Sequence, residues 1–172
     1  REAGQTGEVL AGTGIENHDE LSAFWTAVFP EAPTGLVLDL ACGLGYSTAI
    51  LSELAKTVIG VEPDPSRVEL ANAALAEVGA GSARVINAPL IDGQADEAPF
   101  DCILVNGAVQ TMPESLLDQL KDGGRLAAVL MDGQVGRATE WRRHGNTFAS
   151  RPVFDATTAV LPGFERPAAF VF

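Results

Sequence analysis

From Leu36 onward the chain alternates between two hydrophobic rhythms: short, nearly continuous apolar runs, and longer stretches with apolar side chains every three or four positions. The first kind suits strands buried on both faces, the second helices with one buried stripe. The runs predict strands at Leu36–Ala41, Thr57–Glu62, Ala83–Asn87, Phe100–Asn106 and Arg125–Met131. Between them the spacing predicts helices at Tyr46–Ala55, Asp64–Val78 and Pro113–Leu120. Asp64 is an N-cap there, Pro65 occupies the first turn, and Asp122-Gly123-Gly124 ends the last helix. Ahead of this block, Leu21, Phe24, Trp25 and Val28 fall at helical spacing over Asn17–Phe29, stopped by Pro30 and Pro33.

Strands alternating with helices imply βαβ units, right-handed crossovers and a parallel sheet. After Met131 the rhythm changes. Ala138–His144 and Thr147–Phe154 read as a hairpin about Gly145-Asn146, and Ala168–Phe172 as a final strand. The expected fold is an α/β Rossmann-like sandwich: a mostly parallel seven-stranded sheet with antiparallel C-terminal strands. Residues 1–172 are expected to form one domain, with 1–14 a loop or the remnant of a truncated region. Arg1 in place of Met points to a longer gene product.

Composition narrows the class. With 172 residues and 47% apolar content, a core forms without metals or disulfides. Cys42 and Cys102 lie in apolar segments, which fits a reducing, cytoplasmic setting. No stretch has the length of a membrane span. The formal charge of −12 argues against a nucleic-acid partner, whose phosphates need a positive surface. No His/Cys/Asp spacing suggests a metal site.

The chemistry concentrates where the first strand ends. Asp39 is followed by Ala41, Gly43 and Gly45, small residues that let backbone approach a ligand, with a helix N-terminus behind them. Such a loop lies at the carboxyl end of the sheet, where α/β folds bind ligands. Glu62 ends the second strand 19 positions after Gly43, close to the offset at which a carboxylate meets ribose hydroxyls. A dinucleotide fingerprint requires Gly or Ala at position 48; Thr48 stands there, and its branched side chain makes close helix–strand packing harder. Asp39 suits a cationic ligand and repels a pyrophosphate. A nucleoside with a positive centre fits both features, and S-adenosylmethionine has that form.

The segment Asp39-Leu40-Ala41-Cys42-Gly43-Leu44-Gly45 resembles the Asp/Glu-x-Gly-x-Gly-x-Gly signature of class I methyltransferases, with Ala41 at the first glycine. Gly43–Ala49, Ala98–Val105 and Val109–Leu126, the last containing Gln119-Leu120-Lys121-Asp122-Gly123-Gly124-Arg125-Leu126, resemble protein-L-isoaspartate O-methyltransferases. The resemblance implies repair of damaged proteins by methylation of isoaspartyl carboxylates, so the implied partner is a peptide or protein bearing isoaspartate. It implies that Asp39, Ala41, Gly43 and Gly45 line the methionine side of S-adenosylmethionine, Glu62 its ribose, and Asn87–Leu90 its adenine. Cys42, Tyr46, Ser47, Pro63, Ala88, Pro89, Leu90 and Asn106 complete the implied cofactor set, and Ser22, Gly107 and Ala108 the substrate side.

Three segments depart from the family form. Asn87-Ala88-Pro89 stands for Gly-Asp-Gly, so the carboxylate expected at Ala88 is missing; Gly14–Ser22 has no Ser-Pro pair; and Asn106-Gly107-Ala108 stands for Thr-Ala-Ala. Two alternatives stay open: a catalytically degenerate cofactor-binding or interaction module, and, disfavoured by Thr48 and Asp39, an NAD-linked oxidoreductase.

No catalytic acid–base pair is expected, because a carboxylate acceptor is already ionised at neutral pH and transfer rests on positioning. His18 reads as a capping or surface residue, with the edge of the cofactor pocket as the alternative. His144, Arg142 and Arg143 read as a solvated strand, the alternative being attraction of a carboxylate-bearing peptide.

Overall fold

The computed structural model describes residue 31 and residues 34–166. The expected helix over Asn17–Phe29, His18, Ser22 and the expected strand Ala168–Phe172 lie outside the described residues.

In chain order the elements are β1 (Leu36–Leu40), α1 (Tyr46–Ser52), β2 (Thr57–Glu62), α2 (Pro65–Glu77), β3 (Ala83–Asn87), β4 (Phe100–Val109), α3 (Glu114–Leu117), β5 (Leu120–Asp132), β6 (Val135–His144) and β7 (Thr147–Asp155). Short 3-10 turns at Leu90–Asp92 and Ala95–Glu97 join β3 to β4. The described strands form one sheet of seven in the order β3-β2-β1-β4-β5-β6-β7. The first five are parallel, and β6 and β7 are antiparallel additions. No helix among the described residues is long and apolar enough to cross a membrane.

The apolar runs form strands because both faces of the sheet are covered. Val37, Leu38, Asp39 and Leu40 of β1 are all fully buried. Leu38 and Leu40 join a core with Ile59, Phe100, Ile103, Leu126, Trp141 and Phe164. On the other face Val37 packs with Leu51, Ala55, Val58, Cys102, Leu104 and Ala127. Burying Phe100 and Phe164 stabilises the fold by about 1.5–3 kcal/mol each. Asp64 caps α2, accepting the Ser66 amide at 2.9 Å.

Several boundaries differ from the sequence expectation. Asp122-Gly123-Gly124 does not simply end a helix: α3 stops at Leu117, and the glycines bulge within β5, where pairing jumps from Phe100↔Leu120 to Cys102↔Arg125. β6 begins at Val135, because Gly133-Gln134 makes a tight turn closed by the Asp132↔Val135 pair. Gly133 is left-handed there, at φ 61°, and Asp132-Gly133 is the hairpin signal for it. The second turn falls at Gly145-Asn146, between His144 and Thr147. β4 outruns its expected end by three residues, to Val109, because Ala108 pairs with Val160 of the chain that returns after β7.

Candidate cofactor site

The strand order reverses between β1 and β4, and the crevice there receives the loop of residues 41–45. The loop turns sharply through left-handed backbone at three positions: Ala41 (φ 60°), Gly43 (φ 57°) and Gly45 (φ 81°). Two are glycines, for which this is cheap; Ala41 adopts it at a cost of roughly 1–2 kcal/mol. The loop is held from both sides. The amides of Ala41 and Cys42 donate to the Val61 carbonyl at 2.9 and 3.3 Å, and the Gly45 amide donates to the Cys42 carbonyl at 2.9 Å. A Cβ placed on Gly43 would meet nothing within 4 Å, so open space lies beside this backbone.

Asp39 sits beneath the loop with no solvent exposure. Its Oδ2 accepts Ser47 Oγ at 2.7 Å and Thr48 Oγ1 at 2.6 Å, and its Oδ1 accepts the Asn106 side-chain amide. Burial pushes the carboxyl up to about 6, against the lowering pull of these three donors. At neutral pH it is an anion below the loop, which favours a cation bound above.

Glu62, 5% exposed, is a second brace. Its Oε2 accepts the Gly43 amide at 3.1 Å, and its Oε1 accepts the Asp64 amide at 3.2 Å. The carboxylate thus ties the loop to the β2–α2 turn, and each oxygen keeps a lone pair for a further donor. Asn87 continues this edge, its Nδ2 donating to the Glu62 carbonyl at 3.0 Å and the Pro63 carbonyl at 2.9 Å. Beyond it Ala88 and Leu90 pack on the core while Pro89 is exposed.

Thr48 was expected to obstruct close helix–strand packing. It is instead fully buried, because Gly60 on β2 lacks a side chain: a Cβ there would stand 3.0 Å from Thr48 Oγ1 and 2.8 Å from Cys42 Sγ. Cys42 supplies backbone to the loop, while its side chain packs with Ala71, Leu75, Ala80 and Val85. Burial keeps both thiols strongly protonated. Tyr46 and Ser47 open α1 and are half-buried.

Gly107 and Ala108 are the residues expected on the substrate side. Both are buried under the segment that follows β7: the Ala108 amide donates to Ala159 O at 3.0 Å, and Leu161 fills the space a Gly107 Cβ would need. Arg142 and Arg143 keep solvent-facing side chains and also make contacts along the sheet. Arg143 donates to the carbonyls of Asp118 and Leu120 at 2.8 and 2.7 Å, and Arg142 faces the buried Glu140 at 3.6 Å. His144 is exposed.

Sequence reasoning gave no site role to Gln119 or Gly60. Gln119 is buried; its Oε1 accepts the Gln94 amide and its Nε2 donates to the carbonyls of Asp92 and Ser115. It thereby fixes the turn that follows Leu90. The signal for both was steric and long-range: glycines at 60 and 93 that leave room for Thr48 and for Gln119.

A parallel sheet reversed at β1/β4, a glycine loop after β1 and a carboxylate closing β2 define the Rossmann-like fold of class I methyltransferases. Comparison with solved structures agrees. A protein-L-isoaspartate O-methyltransferase superposes with a TM-score of 0.76 at 20% identity, over 86% of this chain and 48% of that one. A beta-aspartate methyltransferase from Plasmodium falciparum, in complex with S-adenosyl-L-homocysteine, does so with a TM-score of 0.66 at 19% identity, over 83% of this chain and 72% of that one.

The sequence profile of the protein-L-isoaspartate(D-aspartate) O-methyltransferase family matches residues 20–153, and the chain belongs to that family. Protein-L-isoaspartate O-methyltransferase 1 of Syntrophobacter fumaroxidans is 41% identical over 96 residues, 56% of this chain and 45% of that protein. The protein-L-isoaspartate O-methyltransferase of Methanospirillum hungatei is 34% identical over 113 residues, 66% of this chain and 52% of that protein. The chain thus spans about half the length of the curated relatives it matches.

Proposed function

We propose that this chain binds S-adenosylmethionine and transfers its methyl group to the carboxylate of isoaspartyl residues in damaged proteins. The observation that carries the reading is the braced loop. Three left-handed positions expose the backbone of residues 41–45 above the buried Asp39 anion, with Glu62 closing one side. Membership of the isoaspartate methyltransferase family supplies the reaction class.

The residues fit such a ligand. Open space beside Gly43 admits it, and the remaining lone pairs of Glu62 suit ribose hydroxyls. Asp39 contributes negative charge under a cationic centre, and Ala88, Pro89 and Leu90 offer an apolar edge for a base. This reading assigns Asp39, Ala41, Gly43, Gly45, Tyr46, Ser47, Glu62, Pro63 and Asn106 to the cofactor, with Cys42 contributing backbone. The group, when bound, supplies a methyl on a sulfonium centre. The chain's own task is to hold donor and acceptor in line and exclude water. An ionised carboxylate acceptor needs no base, which agrees with the carboxylates of Asp39 and Glu62 being committed to hydrogen bonds. The acidic composition suits a protein partner over a nucleic acid, and the protected thiols suit a cytoplasmic setting.

Two measurements test the reading. Calorimetry with S-adenosylhomocysteine is expected to show one site per chain, weakened by Glu62→Ala. An isoaspartyl peptide incubated with labelled S-adenosylmethionine is expected to release labelled methanol as the ester hydrolyses. Binding without methanol would identify the degenerate cofactor-binding module, and protection by NAD in place of S-adenosylhomocysteine would identify the oxidoreductase.

A further inference from the structure

β1 ends at Leu40, whose register partner is Val105, while β4 runs on to Val109. Asn106 is the first β4 residue beyond that pairing, and it spans the gap. Its Nδ2 donates to Asp39 Oδ1 and to Ser47 Oγ at 3.2 Å, and lies 3.4 Å from the Leu40 carbonyl. Asp39 stands two residues before the loop of 41–45, and Ser47 two residues after it. One amide therefore braces both ends of the loop against β4. The direct bonds of Ser47 and Thr48 to Asp39 join the two ends to each other and Glu62 holds the middle of the loop, but among the described hydrogen bonds only those of Asn106 tie both ends to β4.

We propose that Asn106 is a positioning residue of the glycine loop. By anchoring the bonded Asp39–Ser47 pair to β4 it sets the side-chain direction of the buried acid and the seat of the first turn of α1, and so the conformation in which residues 41–45 receive their ligand. That the ligand is S-adenosylmethionine rests on the proposed function; that the loop depends on Asn106 does not.

The electrostatics of the clamp give it a signature beyond stability. Ser47 and Thr48 from α1 and Asn106 from β4 face the Asp39 carboxylate. The thiol of Cys42 from the loop lies within the electrostatic reach of both Asp39 and the Glu62 carboxylate. On β4 stands the Cys102 thiol, with Arg125 of β5 beyond it. The three direct partners are neutral donors that favour the ionised acid. Removing one of them moves the acid's titration upward. Replacing the amide by a second carboxylate moves it further in the same direction, since like charges at contact disfavour ionisation.

The test compares wild-type protein, Asn106→Ala and the near-isosteric Asn106→Asp. Amide hydrogen exchange at residues 43–47 is followed in the ligand-free protein from pH 5 to 8, with S-adenosylhomocysteine calorimetry and melting curves alongside. In Asn106→Ala we expect exchange protection of the loop to fall about tenfold at pH 7.5. The pH midpoint of its loss should shift upward, and the dissociation constant should rise by about the same factor. In Asn106→Asp the midpoint is expected to move further still. A structural role alone would lower the melting temperature without a loss of protection concentrated at residues 43–47. Loop protection and midpoint unchanged in both variants overturn the proposal; should Asn106→Ala not fold, Asn106→Asp decides by the same midpoint. A wild-type protein that binds no S-adenosylhomocysteine overturns the cofactor reading, and the ligand-free exchange result still decides this one.

Discussion

Gly60 and Thr48 occupy one packing site between β2 and α1. A Cβ built on Gly60 would come within 3.0 Å of Thr48 Oγ1, within 2.8 Å of Cys42 Sγ and within 2.9 Å of Val85 Cγ2. The missing side chain on one strand is what admits the branched side chain on the helix, and with it the Thr48–Asp39 hydrogen bond.

Gly60→Ala is therefore expected to destabilise the protein by about 1–3 kcal/mol, as overpacking does in a close-packed core. Urea denaturation measures it. The double variant Gly60→Ala/Thr48→Ala should recover part of the loss, since it relieves one of the three contacts. Strict additivity of the two single changes would show that the residues do not share the site.

Glu62 accepts two backbone amides, one from the loop and one from the following turn. Glu62→Ala leaves both donors without that partner and costs about 1–3 kcal/mol of stability. Glu62→Gln keeps a carbonyl acceptor and is expected to cost about half as much. Both should weaken S-adenosylhomocysteine binding, Ala by about tenfold or more. Equal affinity in all three proteins would remove Glu62 from the ligand site.

Asp39 gives opposite pH trends for stability and affinity. Its carboxyl is raised from 3.8 to about 6, chiefly by burial. Between those values the folded protein holds a proton that the unfolded chain has lost. The contribution to stability is thus fully present below about pH 4 and declines as pH rises through 6. Relative to Asp39→Asn, wild-type stability is expected to drop by roughly 3 kcal/mol between pH 4 and 7 and then level off. Binding of a cationic ligand needs the anion, so affinity for S-adenosylmethionine should rise over the same interval. Denaturation and calorimetry on one pH series check both signs.

Leu161 fills the place of a side chain at Gly107, with Leu161 Cγ 2.6 Å from where a Cβ would stand. Gly107→Ala is expected to cost about 1–3 kcal/mol and to loosen the segment 159–164, read as faster amide exchange at Leu161 and Phe164. Leu161→Ala in the same chain should restore part of the stability. Unchanged exchange in Gly107→Ala would show that the two residues are not coupled.

The block most specific to the family, Gln119–Leu126, turns out to serve the fold. Gln119 pins the turn of 92–94, Leu120 is fully buried, Lys121 meets Asp101 Oδ2 at 2.7 Å, and Gly123 lies in the β5 bulge. Such a block is readable because its contacts tolerate few residue types, and a pattern of that kind reports kinship more directly than chemistry.

The alternation of apolar runs and helical stripes was sufficient by itself to place the parallel strands β1–β5 within a few residues, since burial on both faces dictates composition along each strand. It also located the loop of Asp39–Gly45 and its Glu62 partner, because backbone geometry and offset there demand particular residue types. It did not show that Thr48 fits, that Asn106 clamps both ends of the loop, or that Gly107 and Ala108 lie under residues 159–164. Those facts depend on side chains meeting from segments twelve to nearly seventy residues apart, as between Thr48 and Gly60 or Asn106 and Asp39. A local pattern carries no trace of such a partner; only the packed sheet brings the two together.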